Sequence, residues 1–277
     1  MIRDVILLMK QLVFVDSDGT LKNSKGEITE NTKRVVRELL NKDIEVIITT
    51  GRPRYHALKV KNLANASRYL ISSNGSEVFD IETQRVIYSR YMTAPSVIDV
   101  TSIANKYNCR CAFTVNEVEY VQDQAMNVNQ VLLETDLDKF LETHYVKQIF
   151  IRGDTEADIN NTYMDIIKLN DVKVVNESSY FHTGIIEKKG LWFSVGHADV
   201  NKGTAIIKLC QHLGVELANT YGFGNDYNDI EMFSVVNHSI IMENADEELK
   251  KFATITTESN DEEGVAMLLE ELFLKGW

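Results

Sequence analysis

Apolar and polar positions follow two rhythms along the first third of the chain. Leu12 to Val15 is a continuous apolar run of the kind buried on both faces of a parallel sheet, and it stops at Asp16-Ser17-Asp18-Gly19-Thr20. Thr29 then stands where it can cap a helix whose Val35, Val36, Leu39 and Leu40 fall at helical spacing. A second apolar run, Ile44 to Ile48, ends at Thr49-Thr50-Gly51-Arg52-Pro53. Strand, helix and strand in about forty residues make a βαβ unit, whose crossover is expected to be right-handed. Tyr69 to Ser72 predicts a third strand, and the turn pair Asn74-Gly75 leads to another at Glu77 to Asp80.

The pattern continues from about residue 83 to 190 with less distinctive chemistry. Ser96 to Tyr107 predicts a helix, Cys111 to Val121 a stretch of alternating strand residues, and Gln148 to Arg152 a strand. Asp154 to Leu169 predicts a helix and Val172 to Val175 a strand. After Gly190 a helical pattern spans Lys202 to Leu213, followed by Thr220 to Gly224 and the polar turn Asn225 to Asp229. An apolar helix from Glu263 to Trp277 closes the chain. No repeat or low-complexity segment interrupts this order, and with only two prolines no linker announces a boundary.

Length and composition narrow the function classes. At 277 residues two domains are the default, and 44% apolar with 25% charged residues suits globular cores. A formal charge of −12 argues against a nucleic-acid or anionic-membrane partner, while leaving room for a local basic pocket around one phosphate group. The apolar run Val5 to Met9 is shorter than a signal-peptide core, and no stretch approaches a bilayer-spanning length. Cys109, Cys111 and Cys210 cannot all pair, so structural thiols in a reducing cytoplasm are expected.

Four polar turns carry the candidate chemistry. Asp16 and Asp18 lie just past a buried strand, where open α/β sheets bind ligands. One can act as a nucleophile and the other as a proton donor and acceptor, or both can share a hard cation such as Mg²⁺. The hydroxyl of Thr50 and the backbone N–H groups around Gly51 can bind a phosphate oxygen without adding charge. Lys202, at the start of its helix, can hold the same phosphate, and Asn225 to Asp229 offers several oxygen ligands. Taken singly, Thr50 reads as a helix cap, Lys202 as a surface lysine and the last turn as a solvated one.

Together, in this order, the turns resemble the haloacid-dehalogenase-like (HAD) phosphohydrolases, most closely the Cof-type branch. The resemblance covers almost the whole chain, through Asp16-x-Asp18-Gly19-Thr20, Thr50-Gly51-Arg52, Asn74-Gly75, Lys202-Gly203 and Asn228-Asp229. It implies a Rossmann-like α/β core with a mostly parallel sheet, formed by residues 1–82 and 191–277, and an inserted α/β cap at 83–190. It implies Asp16 as nucleophile, Asp18 as general acid and base, Thr50, Gly51 and Lys202 on the phosphate, and Mg²⁺ held by Asp16, Asp18, Asn225 and Asp229. Asn228 and Asp226 are further candidates for the metal.

Two residues depart from the family pattern. Asn225 stands where the family carries a metal-binding aspartate, so the site loses one negative charge. Ser17 replaces the commoner apolar residue, and little effect is expected from it. The resemblance implies phosphatase action on small phosphorylated metabolites, sugar phosphates first, with flavin mononucleotide or pyridoxal phosphate behind them. A sugar-phosphate mutase, a phosphometabolite sensor and a receiver-like domain are the alternatives. His144, Tyr180, His182 and Glu187 are cap residues that can be substrate contacts or plain surface.

Overall fold

A computed structural model describes residues 10–122, 129–177 and 190–275 of the chain. Contacts divide it into two compact units, residues 1–89 with 201–277 and residues 90–200. The first opens with β1 (Gln11–Val15), α1 (Glu30–Leu40), β2 (Ile44–Thr49), α2 (Arg54–Ala64), β3 (Tyr69–Ser72), β4 (Glu77–Asp80) and β5 (Arg85–Ser89). The second contains α3 (Ala94–Lys106), β6 (Arg110–Val115), β7 (Val118–Val121), β8 (Gln130–Leu132), α4 (Leu137–Leu141), β9 (Gln148–Gly153), α5 (Glu156–Ile166), β10 (Val172–Glu177) and β11 (Leu191–His197). The chain returns to the first unit with α6 (Lys202–Leu213), β12 (Thr220–Gly224), α7 (Ile230–Phe233), β13 (His238–Met242), α8 (Glu247–Lys250), β14 (Ile255–Thr257) and α9 (Gly264–Leu269).

The first unit is built on an eight-stranded sheet in the order β14-β13-β12-β1-β2-β3-β4-β5. Pairing is parallel from β14 to β3 and antiparallel across β4 and β5. The apolar run of β1 is buried on both faces, as its composition predicts. Val13 and Val15 join a cluster with Val35, Val36 and Leu39 of α1, whereas Leu12 and Phe14 join Ile206 and Leu209 of α6. Thr29 caps α1 by accepting the N–H of Thr32, which satisfies one of the free donors of the first turn.

Strand order decides where the loops converge. The chain leaves β1 for β2 on one side, while β12 arrives on the other, so the carboxyl ends of β1, β2 and β12 open at a topological switch point. Register pairs Val15 with both Phe223 and Ile48, placing the three following turns at one level. The Ser73–Gly75 turn after β3 fits beneath the start of α6: Gly75 has φ +93°, and a Cβ there would lie 2.2 Å from the Asn201 carbonyl oxygen.

The second unit carries its own six-stranded sheet, in the order β10-β11-β9-β6-β7-β8. Phe113, Ile149, Ile151, Phe193 and Val195 of this sheet pack with Val97, Val100, Ile159 and Ile166 of α3 and α5. The alternating stretch Cys111 to Val121 is two strands rather than one, because Asn116 takes a left-handed φ of +53° and turns the chain into a hairpin. The expected boundaries at 82/83 and 190/191 are corrected to 89/90 and 200/201. β5 pairs with β4 of the first sheet, and β11 is held between β9 and β10 of the second. The final helix ends at Leu269 and continues as a wider turn over Glu270–Leu274. Among the described residues no helix is long and apolar enough to cross a membrane.

Candidate active site

Asp16 follows β1 directly, its N–H still donating to the Phe223 carbonyl as though the strand continued. The loop then closes on itself, with Leu21 N–H donating to Asp16 O and Lys22 N–H to Ser17 O. Gly19 takes φ +79°, and a Cβ there would lie 2.6 Å from the Asn225 amide nitrogen. The first and last polar turns are therefore in direct contact, and Thr20 Oγ1 seals them by donating to Asn225 Oδ1 at 2.8 Å.

Lys202 is the hub of the site. Its ammonium is fully buried and donates to Asp16 Oδ1 at 2.8 Å, Asp229 Oδ1 at 2.6 Å and Asn228 Oδ1 at 3.3 Å. An ammonium has three protons, so these three acceptors satisfy it completely. Burial works to lower the lysine pKa, but the Asp16 and Asp229 carboxylates outweigh it and hold the proton on above the ordinary range. Burial pushes the Asp16 carboxyl up to about 6 against the pull of Lys202, and it raises Asp229 in the same sense. The surface-lysine reading is thereby set aside.

Asp229 is occupied on both oxygens. Oδ1 accepts from Lys202, and Oδ2 accepts the N–H groups of Asn225 at 2.9 Å and Asp226 at 3.1 Å. A Cβ on Gly224 would lie 2.4 Å from this carboxylate, so the close approach depends on glycine at that position. In this geometry Asp229 is the counter-ion of Lys202 and the brace of the last turn. Asp226 is exposed, and its carboxylate caps the turn over Tyr227–Asp229 by accepting the Tyr227 N–H at 2.7 Å.

Asp18 faces different partners. Arg52 Nε donates to its Oδ2 at 3.0 Å, and Lys22 Nζ approaches its Oδ1 at 2.5 Å. Burial would raise the carboxyl, but Arg52 and Lys22 outweigh it and hold it down at about 2. Thr50 is buried at the end of β2, with its N–H donating to Ile71 O and its Oγ1 accepting the Arg52 N–H at 3.2 Å. A chain of amides completes the floor: Asn228 Nδ2 donates to Asn74 Oδ1 at 2.9 Å, and Asn74 Nδ2 donates to Gly51 O at 3.5 Å.

Sequence reasoning missed three participants. Arg52 and Lys22 are the counter-ions of Asp18, and Ser17, expected to matter little, is fully buried with its Oγ 3.0 Å from Thr50 Oγ1. The available signal was a hydroxyl at a position flanked by β1 and otherwise suited to an apolar side chain. In the second unit, His144 stacks on Phe140 at 4.3 Å and meets Tyr120 edge-on, which gives it a packing role. Tyr180, His182 and Glu187 lie outside the described residues.

Among the described residues no group of three His, Cys, Asp or Glu side chains is arranged to hold a metal. Asp16 Oδ2 nevertheless takes no hydrogen bond from the described residues, and Asn225 Oδ1 keeps a second lone pair beside its bond from Thr20. Both are oxygen donors, which suits a hard cation that keeps several waters.

Comparison with known proteins agrees with this arrangement. The model of the haloacid dehalogenase-like hydrolases matches residues 13–269. A Bacillus subtilis protein named 5-amino-6-(5-phospho-D-ribitylamino)uracil phosphatase YcsE is 25% identical over 265 residues, covering 95% of this chain and 96% of its own. A solved haloacid dehalogenase-like hydrolase from B. subtilis superposes with a TM-score of 0.81 at 20% identity, covering 96% of this chain and all of that one. The HAD subclass IIB sugar phosphatase BT4131 gives 0.77 at 20% identity, with 95% and 98% covered. The chain belongs to the haloacid dehalogenase-like hydrolase family.

Proposed function

We propose that this protein is a Mg²⁺-dependent phosphatase that hydrolyses small phosphorylated metabolites through an aspartyl-phosphate on Asp16. The observation that carries the reading is the buried Lys202, clasped by Asp16 and Asp229 at the switch point of the sheet. Asp16, Asn225 and the Asp18 carbonyl would hold the cation. When bound, it supplies positive charge that offsets repulsion between the Asp16 carboxylate and a phosphate dianion.

The chain's own residues supply the remaining chemistry. Asp16 attacks phosphorus as the bond to the leaving oxygen breaks, and the leaving oxygen takes its proton from Asp18. Asp18 then removes a proton from water, whose oxygen displaces Asp16 and releases inorganic phosphate. Its ion pairs with Arg52 and Lys22 favour the carboxylate, the form in which a base starts, while lowering its affinity for a proton. Acting as an acid requires that it leave those partners. Lys202 neutralises charge on the transferring group, and Thr50 donates to one of its oxygens.

Sugar and polyol phosphates are the first substrate class. One relative is named for a substrate with a phosphoribityl chain, and one structural neighbour is named a sugar phosphatase. Three buried free thiols suit a reducing cytoplasm. Phosphate release from a panel of sugar phosphates, flavin mononucleotide, pyridoxal phosphate and an aryl phosphate, with Mg²⁺ or chelator, tests the reading. Release that needs Mg²⁺ and vanishes in Asp16→Asn supports it, and no release from any substrate by folded protein contradicts it.

A further inference from the structure

The Ser17 hydroxyl has no part in the mechanism above, yet it is fully buried between two groups that do. Ser17 Oγ lies 3.0 Å from Thr50 Oγ1 and 3.4 Å from Asp18 Oδ2. Thr50 Oγ1 already accepts the Arg52 N–H. A hydroxyl has one proton and two lone pairs, and either hydroxyl of this pair can be the donor; when Ser17 donates, its bond and that from Arg52 fill both lone pairs of Thr50. Its own proton must then find an acceptor elsewhere. Phosphoryl oxygens offer lone pairs only, so a threonine restricted to donating is complementary to them. An apolar residue at position 17 would leave one lone pair of Thr50 open and its hydroxyl free to turn that lone pair toward the anion.

We propose that Ser17 is a positioning residue that donates to Thr50 and so presets the Thr50 hydroxyl as a donor to the substrate's phosphoryl group. Ser17 can give its one proton to Asp18 Oδ2 instead, since a carboxylate only accepts, but that contact is longer and the carboxylate already accepts from Arg52 and Lys22. The inference rests on the phosphatase reading and concerns how that site selects its anion.

The test is a double-mutant cycle on the full chain at saturating Mg²⁺, comparing wild type, Ser17→Ala, Thr50→Val and the double variant. Two quantities are read: kcat/KM for p-nitrophenyl phosphate and the inhibition constant of inorganic phosphate. Ser17→Ala is expected to lower kcat/KM and raise the inhibition constant, each about three- to tenfold, the range of one hydrogen bond. In the Thr50→Val background the same change moves neither quantity by more than about twofold. Equal losses in both backgrounds, a lower kcat with an unchanged inhibition constant, or no loss at all would overturn the proposal. Absence of turnover by the wild type defeats the phosphatase reading too, whereas turnover that Ser17→Ala leaves intact defeats this inference alone.

Discussion

At the scale of single residues, the site is a balance of buried charges centred on Lys202. Removing it leaves Asp16 and Asp229 facing each other's field without a counter-ion, and breaking such a buried pair costs about 3–5 kcal/mol. Lys202→Met is therefore expected to lower the unfolding free energy in urea by that amount and to abolish phosphate release. Asn225→Asp should act the other way on the cation: with one more carboxylate, Mg²⁺ affinity measured by calorimetry rises roughly tenfold. The two carboxylates after β1 were legible in the sequence because acids directly after a buried apolar run have few structural uses. Arg52 and Ser17 were not, since each acquires its meaning from a partner more than thirty positions away. Nor could spacing alone show that Asp229 pairs with Lys202.

Secondary-structure elements hold these residues by close approach and by their own ion pairs. Gly224 lets the Asp229 carboxylate lie against the end of β12, so Gly224→Ala should displace it and reduce kcat/KM while the fold persists in far-UV circular dichroism. At the other side of the sheet, Asp80 ends β4 and accepts from Arg68 Nε at 3.0 Å and from Thr83 Oγ1 at 2.8 Å. Burial would raise its pKa, but these bonds hold it below the ordinary carboxylate value. A depressed carboxylate contributes its stability above the unfolded pKa of about 4 and loses it as pH falls below that value. Asp80→Asn should thus cost about 1–3 kcal/mol at pH 7, with the gap from wild type shrinking toward pH 3 in urea unfolding. α1, β1 to β4 and α6 were legible because their apolar spacing is regular. α2 was not, because its first turn buries Arg54 in a two-pronged pair with Glu77 at 2.6 Å, a polar side chain where a core position is expected.

For the whole molecule, two sheets with separate cores explain why the domain boundaries were misread by several residues. Membership of β5 and β11 is decided by pairing with strands of their own sheets, a property that local periodicity does not encode. Net charge acts at the same scale. With −12 overall, the protein repels a phosphate monoester in solution, although Lys202, Arg52 and Lys22 offset this locally. Screening should therefore raise kcat/KM for anionic substrates about twofold between roughly 10 and 100 mM salt at saturating Mg²⁺. If the phosphoryl group passes through Asp16, the acyl phosphate can be trapped chemically during turnover. Enzyme turning over an aryl phosphate with Mg²⁺ is quenched in acid, reduced with borohydride and digested for peptide mass spectrometry. Homoserine is expected in place of Asp16, dependent on substrate and on Mg²⁺; phosphate release with Asp16 unmodified in the quenched enzyme would show that the phosphoryl group takes another route.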